Sequence, residues 1–195
     1  VLVVAAFSPE LSALASEIER AVVGVGLVES ALGAARVVAS RKPDAVVLVG
    51  TAGAYPNSSL KIGDVIVARD IVLASPSGAL IEGAMPTSIE TDVALSASLR
   101  APSVVVGRVA TTLAITTDDA VARTLEDATH AHAEHLEAFA VARACAVASV
   151  PFTAVLGIAN AVGARGRDEW RANHERAAEA ACRVIRNPTR SPSRA

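Results

Sequence analysis

Asp44-Ala45-Val46-Val47-Leu48-Val49-Gly50-Thr51-Ala52-Gly53-Ala54 decides how this chain folds. Its continuous Val/Leu run is too apolar for a strand with one wet face, so it reads as a strand covered by helices on both sides. Thr51-Ala52-Gly53-Ala54 then reads as a small-residue loop leaving the strand's carboxyl end. In open α/β sheets that edge is where ligands collect.

The sequence on either side repeats the pattern, short Val/Ile/Leu runs alternating with Ala-rich helical stretches. Val1 to Ala6 is expected as a first strand rather than a signal peptide. Ser8-Pro9-Glu10 looks like a helix start, with Ser8 as N-cap, and the helix should run to about Arg20. Val22 to Gly26 reads as a strand end or turn, and Leu27 to Ser40 as a helix stopped by Lys42-Pro43. Further strands are expected at Leu60 to Ala68, after a turn, at Val104 to Ala110 and at Pro151 to Ile158. Helices are expected at Asp118 to Asp127, Ala133 to Ser149 and Arg167 to Arg186. Between Ser75 and Pro102, Gly, Pro and Ser become common and periodicity weakens, which predicts a mobile loop with a short helix near Thr91 to Leu99. Asn187 to Ala195 is rich in Pro, Ser and Arg and is expected to be a disordered tail.

Size and composition narrow the function. At 195 residues the chain fits one domain, and its 52% hydrophobic content consists mainly of small and branched aliphatics. No apolar run approaches the roughly 20 residues of a spanning helix, so no membrane partner is expected. A formal charge of −2 and only 3% aromatics speak against a nucleic-acid partner. Cys145 and Cys182 lack CxxC spacing and read as small core residues of a reduced, cytoplasmic compartment.

Three polar residues stand out against this apolar background. Glu137 interrupts Leu136-Glu137-Ala138-Phe139-Ala140, where a carboxylate is costly unless a partner or ligand meets it. Ionised, it accepts only, and could hold two adjacent ribose hydroxyls; the alternative is a salt-bridged helix residue facing solvent. Glu10 could orient or deprotonate a water just past the first strand, and is equally explained as a first-turn residue facing the helix dipole. Asn160 offers a donor and an acceptor suited to a purine edge carrying a carbonyl beside a ring nitrogen, or it could simply form a turn. No GxGxxG follows the first strand and no G-x-S-x-G elbow is present, so neither NAD nor another cofactor is expected. His130, His132 and His135 lack the accompanying ligands of a metal site and read as a solvated helix start.

Several runs together resemble the nucleoside phosphorylase and nucleosidase superfamily: Gly24 to Ala34, Lys42-Pro43-Asp44 through Ala54, Leu60-Lys61-Ile62-Gly63-Asp64-Val65, and Leu136-Glu137-Ala138 followed by Val150-Pro151-Phe152. The resemblance implies an α/β fold, a single-domain three-layer α/β/α sandwich with a central mixed sheet, over residues 1–186. Ile158 to Trp170 looks most like the futalosine hydrolases of menaquinone biosynthesis, which release hypoxanthine from futalosine. Adenosine-type nucleosidases of the superfamily, acting on methylthioadenosine and S-adenosylhomocysteine, carry Asp where this chain has Asn160. By resemblance Glu10 would activate water and Asn160 the base. Glu137 would bind the ribose, Leu136 would pack beneath it, and Thr51, Ala52 and Gly53 would lie beside sugar and base. Leu156 and Ala159 stand where the adenosine-type enzymes have Arg and Ser. Phosphorylases of the superfamily place a Gly-x-Pro-x-Arg-like loop after the first strand, whereas Phe7-Ser8-Pro9-Glu10 puts a carboxylate there. The expectation is hydrolysis of a small 6-oxopurine nucleoside by a homo-oligomer, with phosphorolysis, adenosine-type hydrolysis and non-catalytic nucleoside binding as rivals.

Overall fold

Alternation along two neighbouring strands sorts the core into two halves. The structure, a computed structural model, describes residues 1–75, 86–99, 101 and 104–186. Strands β1 (Leu2–Ala5) and β3 (Val46–Ala54) run parallel with Leu2 opposite Val46. Leu2, Val4, Val46 and Leu48 face one way, packing with Ala34, Val37 and Val38 of α1 (Leu27–Arg41) and Phe139 and Val141 of α4 (Ala138–Val147). Val3, Ala5, Val47 and Val49 face the other way, against Ala180, Ala181 and Cys182 of α5 (Gly166–Arg186). Because strand side chains alternate with period two, a strand buried on both faces must be apolar throughout. The result is helix, sheet, helix.

The described residues contribute six further strands to one mixed sheet: β2 (Arg20–Val22), β4 (Val65–Leu73), β5 (Ser88–Glu90), β6 (Val104–Thr111), β7 (Ala133–Glu134) and β8 (Phe152–Ala161). Its order is β2-β1-β3-β7-β6-β4-β5, and β8 joins β3 in parallel to β4 in antiparallel pairing. The pairings β3–β7–β6–β4–β8–β3 therefore close into a ring. Two shorter helices, α2 (Val93–Ser98) and α3 (Asp119–Thr129), begin on Asp92 and Asp118, whose carboxylates accept the first free backbone N–H groups. α5 comes so close to β8 that a Cβ on Gly157 would lie 1.9 Å from the Ala177 carbonyl oxygen.

Three local expectations are corrected. The helix from Pro9 to Arg20 is only a 3₁₀ turn, Ser8–Leu11, whose N-cap is Phe7 rather than Ser8. The chain must return to pair Arg20 with Val3, and the Arg20 guanidinium donates to the carbonyls of Leu11, Leu14, Ala15 and Ile18, tying together the segment that does not form a helix. Thr51 to Ala54 is strand rather than loop, because β8 pairs alongside it as far as Ala54 opposite Ala161. The long helix from Ala133 to Ser149 is split into β7, a turn and α4. Ala133 and Glu134 are held in the sheet by both β3 and β6, and those pairings override local helix propensity. The expected short helix before Leu99 is α2; the tail at 187–195 and positions 76–85 of the expected loop lie outside the described residues.

Candidate active site

A cavity of about 400 Å³ opens where β1, β3 and β8 reach their carboxyl ends. Glu10, Thr51, Ala52, Gly53, Leu136, Glu137 and Asn160, the seven positions singled out from sequence, all line it. These seven positions come from four separate stretches of chain: the turn after β1, the end of β3, the end of β8, and the segment from β7 to the head of α4.

Glu10 is buried, and its two carboxylate oxygens differ. Oε1 accepts from the Thr51 backbone N–H at 3.0 Å and from the Thr51 hydroxyl at 3.2 Å. Oε2 is buried without a hydrogen-bond partner in the protein. Burial, reinforced by the nearby Glu137 carboxylate, pushes its pKa up from 4.5 to about 8. At neutral pH this shift favours the protonated form of Glu10. Behind it, the Trp170 indole N–H donates to the Thr51 hydroxyl at 3.0 Å, so a chain of hydrogen bonds runs from α5 through β3 to the carboxyl group.

Glu137 is buried rather than solvent-facing, and it caps α4 instead of lying inside it. Its Oε1 accepts from the Gly26 backbone N–H at 2.7 Å. Gly26 has φ of 84°, a left-handed conformation that glycine adopts without the usual steric cost. The first donors of α4 are met by an imidazole: the N–H groups of Glu137 and Ala138 each donate to His135 Nδ1 at 3.1 Å. With the Nδ1 lone pair so used, the ring proton is assigned to Nε2. Nδ1 also lies 3.3 Å from Glu137 Oε2, but burial holds the His135 pKa below its ordinary value, so this contact is not an ion pair. His135 is therefore a buried, neutral cavity residue, which corrects its reading as part of a solvated helix start.

Asn160 owes its aim to an irregularity in β8. Ala52 lies opposite Ile158 but Gly53 opposite Asn160, leaving Ala159 as an extra residue, the kind of bulge that redirects a side chain. The Asn160 Nδ2 donates to the Ala161 carbonyl at 2.8 Å. Among the described residues its second N–H and its Oδ1 are uncommitted. Gly53 makes room for it, since a Cβ there would lie 2.8 Å from Asn160 Nδ2. Leu156 and Ala159 are fully buried in β8 and do not line the cavity.

Sequence reasoning missed several cavity residues. Phe7 and Trp170 form an aromatic wall with ring centroids 6.5 Å apart, and Trp170 stacks on His174 at 4.4 Å. Glu134, buried in β7, accepts from the Thr116 N–H at 3.0 Å, the Thr116 hydroxyl at 2.6 Å and the Tyr55 hydroxyl at 3.2 Å, fixing the segment Ile115-Thr116-Thr117 along one side. Burial raises its pKa. Arg167 is the one lysine or arginine lining the cavity among the described residues. A larger groove of about 720 Å³ lies between α1 and α4, but its lining is almost wholly apolar and contains no carboxylate. Among the described residues no group of three or more His, Cys, Asp or Glu side chains is arranged to hold a metal ion, and no helix is long and apolar enough to cross a membrane. Both cysteines are free and buried.

Comparison with known proteins adds a family. A family model described as the phosphorylase superfamily matches residues 7–187. Similar solved structures include a futalosine hydrolase mutant of Helicobacter pylori, 19% identical over 95% of this chain and 96% of that one, with a TM-score of 0.85. They also include the Helicobacter pylori 5′-methylthioadenosine/S-adenosyl homocysteine nucleosidase, at 18% identity, 95% coverage of each chain and a TM-score of 0.85. The Neisseria meningitidis 5′-methylthioadenosine/S-adenosylhomocysteine nucleosidase, in complex with methylthio-immucillin-A, is 16% identical over 94% of this chain and 95% of that one, with a TM-score of 0.84. At such identities the likeness is one of fold. No curated protein sequence matches the chain.

Proposed function

This chain belongs to the phosphorylase superfamily, and from that premise we propose that it is an N-glycosyl hydrolase that releases the base from a 6-oxopurine nucleoside, with futalosine as substrate and dehypoxanthinyl futalosine and hypoxanthine as products. The observation that carries this reading is the buried, unpartnered Oε2 of Glu10 in the same cavity as Glu137 and Asn160. Cleaving a purine N-glycoside develops positive charge on the sugar and negative charge on the leaving base, so both must be stabilised at once. Glu137, anchored by Gly26, holds the ribose hydroxyls and supports the cationic sugar. The reacting form is the one in which Glu10 has first released its proton to solvent; the growing positive charge on the sugar favours that carboxylate, which takes one proton from the attacking water at Oε2 while the base leaves as an anion and is protonated from solvent. Asn160 presents its free N–H and Oδ1 to the carbonyl and ring N–H of a 6-oxopurine.

Water rather than phosphate as nucleophile is supported by the lining: Arg167 is its one lysine or arginine among the described residues, and at the turn after β1, where an anion site needs clustered donors, Glu10 presents an oxygen with no partner. The fold-level likeness to both futalosine hydrolase and methylthioadenosine nucleosidases accommodates either base, and Asn160 is what favours the 6-oxo purine. The test is parallel incubation with futalosine, inosine and methylthioadenosine, with and without phosphate, measuring free hypoxanthine or adenine. Hypoxanthine release from futalosine that is equally fast without phosphate supports the proposal. Phosphate-dependent release, or preferential release of adenine, overturns it.

A further inference from the structure

We propose that His135 is a positioning residue for Glu10: its Nε2–H, beside the bare Cα of Gly50, supplies the hydrogen bond that holds Glu10 as a carboxylate once it loses its proton. The inference rests on the nucleosidase reading for its catalytic meaning, but its geometry stands apart from it. A Cβ placed on Gly50 would lie 3.1 Å from Glu10 Oε1 and 3.2 Å from His135 Nε2, so the two side chains border one notch that only a glycine leaves open. The imidazole is fixed in orientation, because Nδ1 takes the N–H groups of Glu137 and Ala138. That leaves Nε2 as its donor, with no protein acceptor among the described residues. Across the notch stands the Glu10 carboxyl group with Oε1 nearest, and its other oxygen, Oε2, is a buried acceptor with no hydrogen bond from the protein. An unused donor thus faces a carboxyl group with one unused oxygen, and the two are complementary, joined after a small rotation of the Glu10 carboxyl or through one water.

The other polar and ionisable groups around the pair do not supply this bond. Glu137 reaches both side chains and opposes a negative Glu10. Thr51 is committed to Oε1, and the Cys182 thiol donates to the Glu10 backbone carbonyl rather than to its carboxylate. Among the described residues no lysine or arginine forms an ion pair with Glu10. The backbone N–H of Ala6 and the Thr51 donors already lower the Glu10 titration without offsetting burial and Glu137, and the neutral imidazole is the further side-chain donor beside the carboxyl group. A charge-assisted bond of this kind moves a carboxyl titration by about one to two pH units.

The test follows the Glu10 carboxyl band by infrared pH titration of the full chain without nucleoside, the band being assigned by its loss in Glu10→Gln. His135→Leu should raise the midpoint by about one pH unit or more, and His135→Gln, which keeps an N–H donor, should restore most of it. Gly50→Ala places a methyl in the notch while leaving the α4 cap intact; it should give a shift in the same direction that does not add to that of His135→Leu. In active protein, the acid limb of kcat/KM should move with the midpoint. A Glu10 midpoint unchanged in both His135→Leu and Gly50→Ala overturns the proposal, even if the enzyme is active. Absence of base release from every nucleoside tested would instead count against the nucleosidase reading and leave the titration result in force.

Discussion

Glu10→Gln should make the protein more stable at neutral pH while abolishing base release. The folded-state pKa of Glu10 is about 8 against 4.5 for the free side chain, the cause being burial reinforced by Glu137. Below pH 4.5 both folded and unfolded chains carry the proton, and the group contributes no pH dependence. Between 4.5 and 8 the unfolded chain releases the proton that the folded chain keeps, so stability falls as pH rises; above about 8 the loss levels off. At about 1.4 kcal/mol per pH unit, the loss accumulated by pH 7 is about 3 kcal/mol. Glutamine removes this slope. Its Oε1 can still accept from Thr51, and any cost of placing an amide N–H at the Oε2 position is a constant offset across pH. Urea denaturation of both proteins from pH 4 to pH 9 measures the difference. The gain of Glu10→Gln over wild type should grow by about 3 kcal/mol between pH 4 and pH 7 and flatten above pH 8. A gap that stays constant over this range would mean that Glu10 ionises in the folded protein as freely as in water, and the reasoning about its burial would be wrong.

Asn160→Asp should turn the base preference from 6-oxo towards 6-aminopurines, changing the ratio of kcat/KM for hypoxanthine and adenine release by about 10²-fold or more; an unchanged ratio removes Asn160 from base recognition. Gly53→Ala, whose methyl would press on Asn160 Nδ2 at 2.8 Å and Val162 Cγ2 at 2.9 Å, should cost about 1–3 kcal/mol in thermal or urea unfolding and lower kcat/KM more than tenfold. Arg20→Met removes the guanidinium hydrogen bonds to the carbonyls of Leu11, Leu14, Ala15 and Ile18, leaving those of Leu14 and Ile18 without that donor, and should destabilise the fold by about 2 kcal/mol. Amide hydrogen exchange should then accelerate first in Ser12 to Glu19, next to Glu10.

What the sequence made legible follows from how local each signal is. The Val/Leu run of β3 and the Ala-rich periodicity of α1 and α5 are written in consecutive residues, and those elements lie close to where they are expected. The ends of elements depend on distant partners. Nothing near Ala133 announces that Val109 and Gly53 will hold β7 in the sheet, and nothing near Leu14 announces that Arg20 will satisfy its carbonyl. At the site, Glu10, Glu137 and Asn160 stood out because a carboxylate or amide is conspicuous against an apolar background. His135 and Trp170 did not stand out, because their roles are made by contacts: the imidazole caps a helix whose start was misplaced, and the indole reaches Thr51 across 119 positions of sequence. The one available hint at Trp170 is chemical, since an indole N–H drawn out of water needs an acceptor.

Hydrolysis of futalosine in phosphate-free buffer made with ¹⁸O-labelled water tests the central claim most directly, because it reads the nucleophile and the bond broken in one measurement. The account predicts free hypoxanthine without label and a ribosyl product carrying one ¹⁸O atom, with both lost in Glu10→Gln. No hypoxanthine release, or release with an unlabelled ribosyl product, contradicts it.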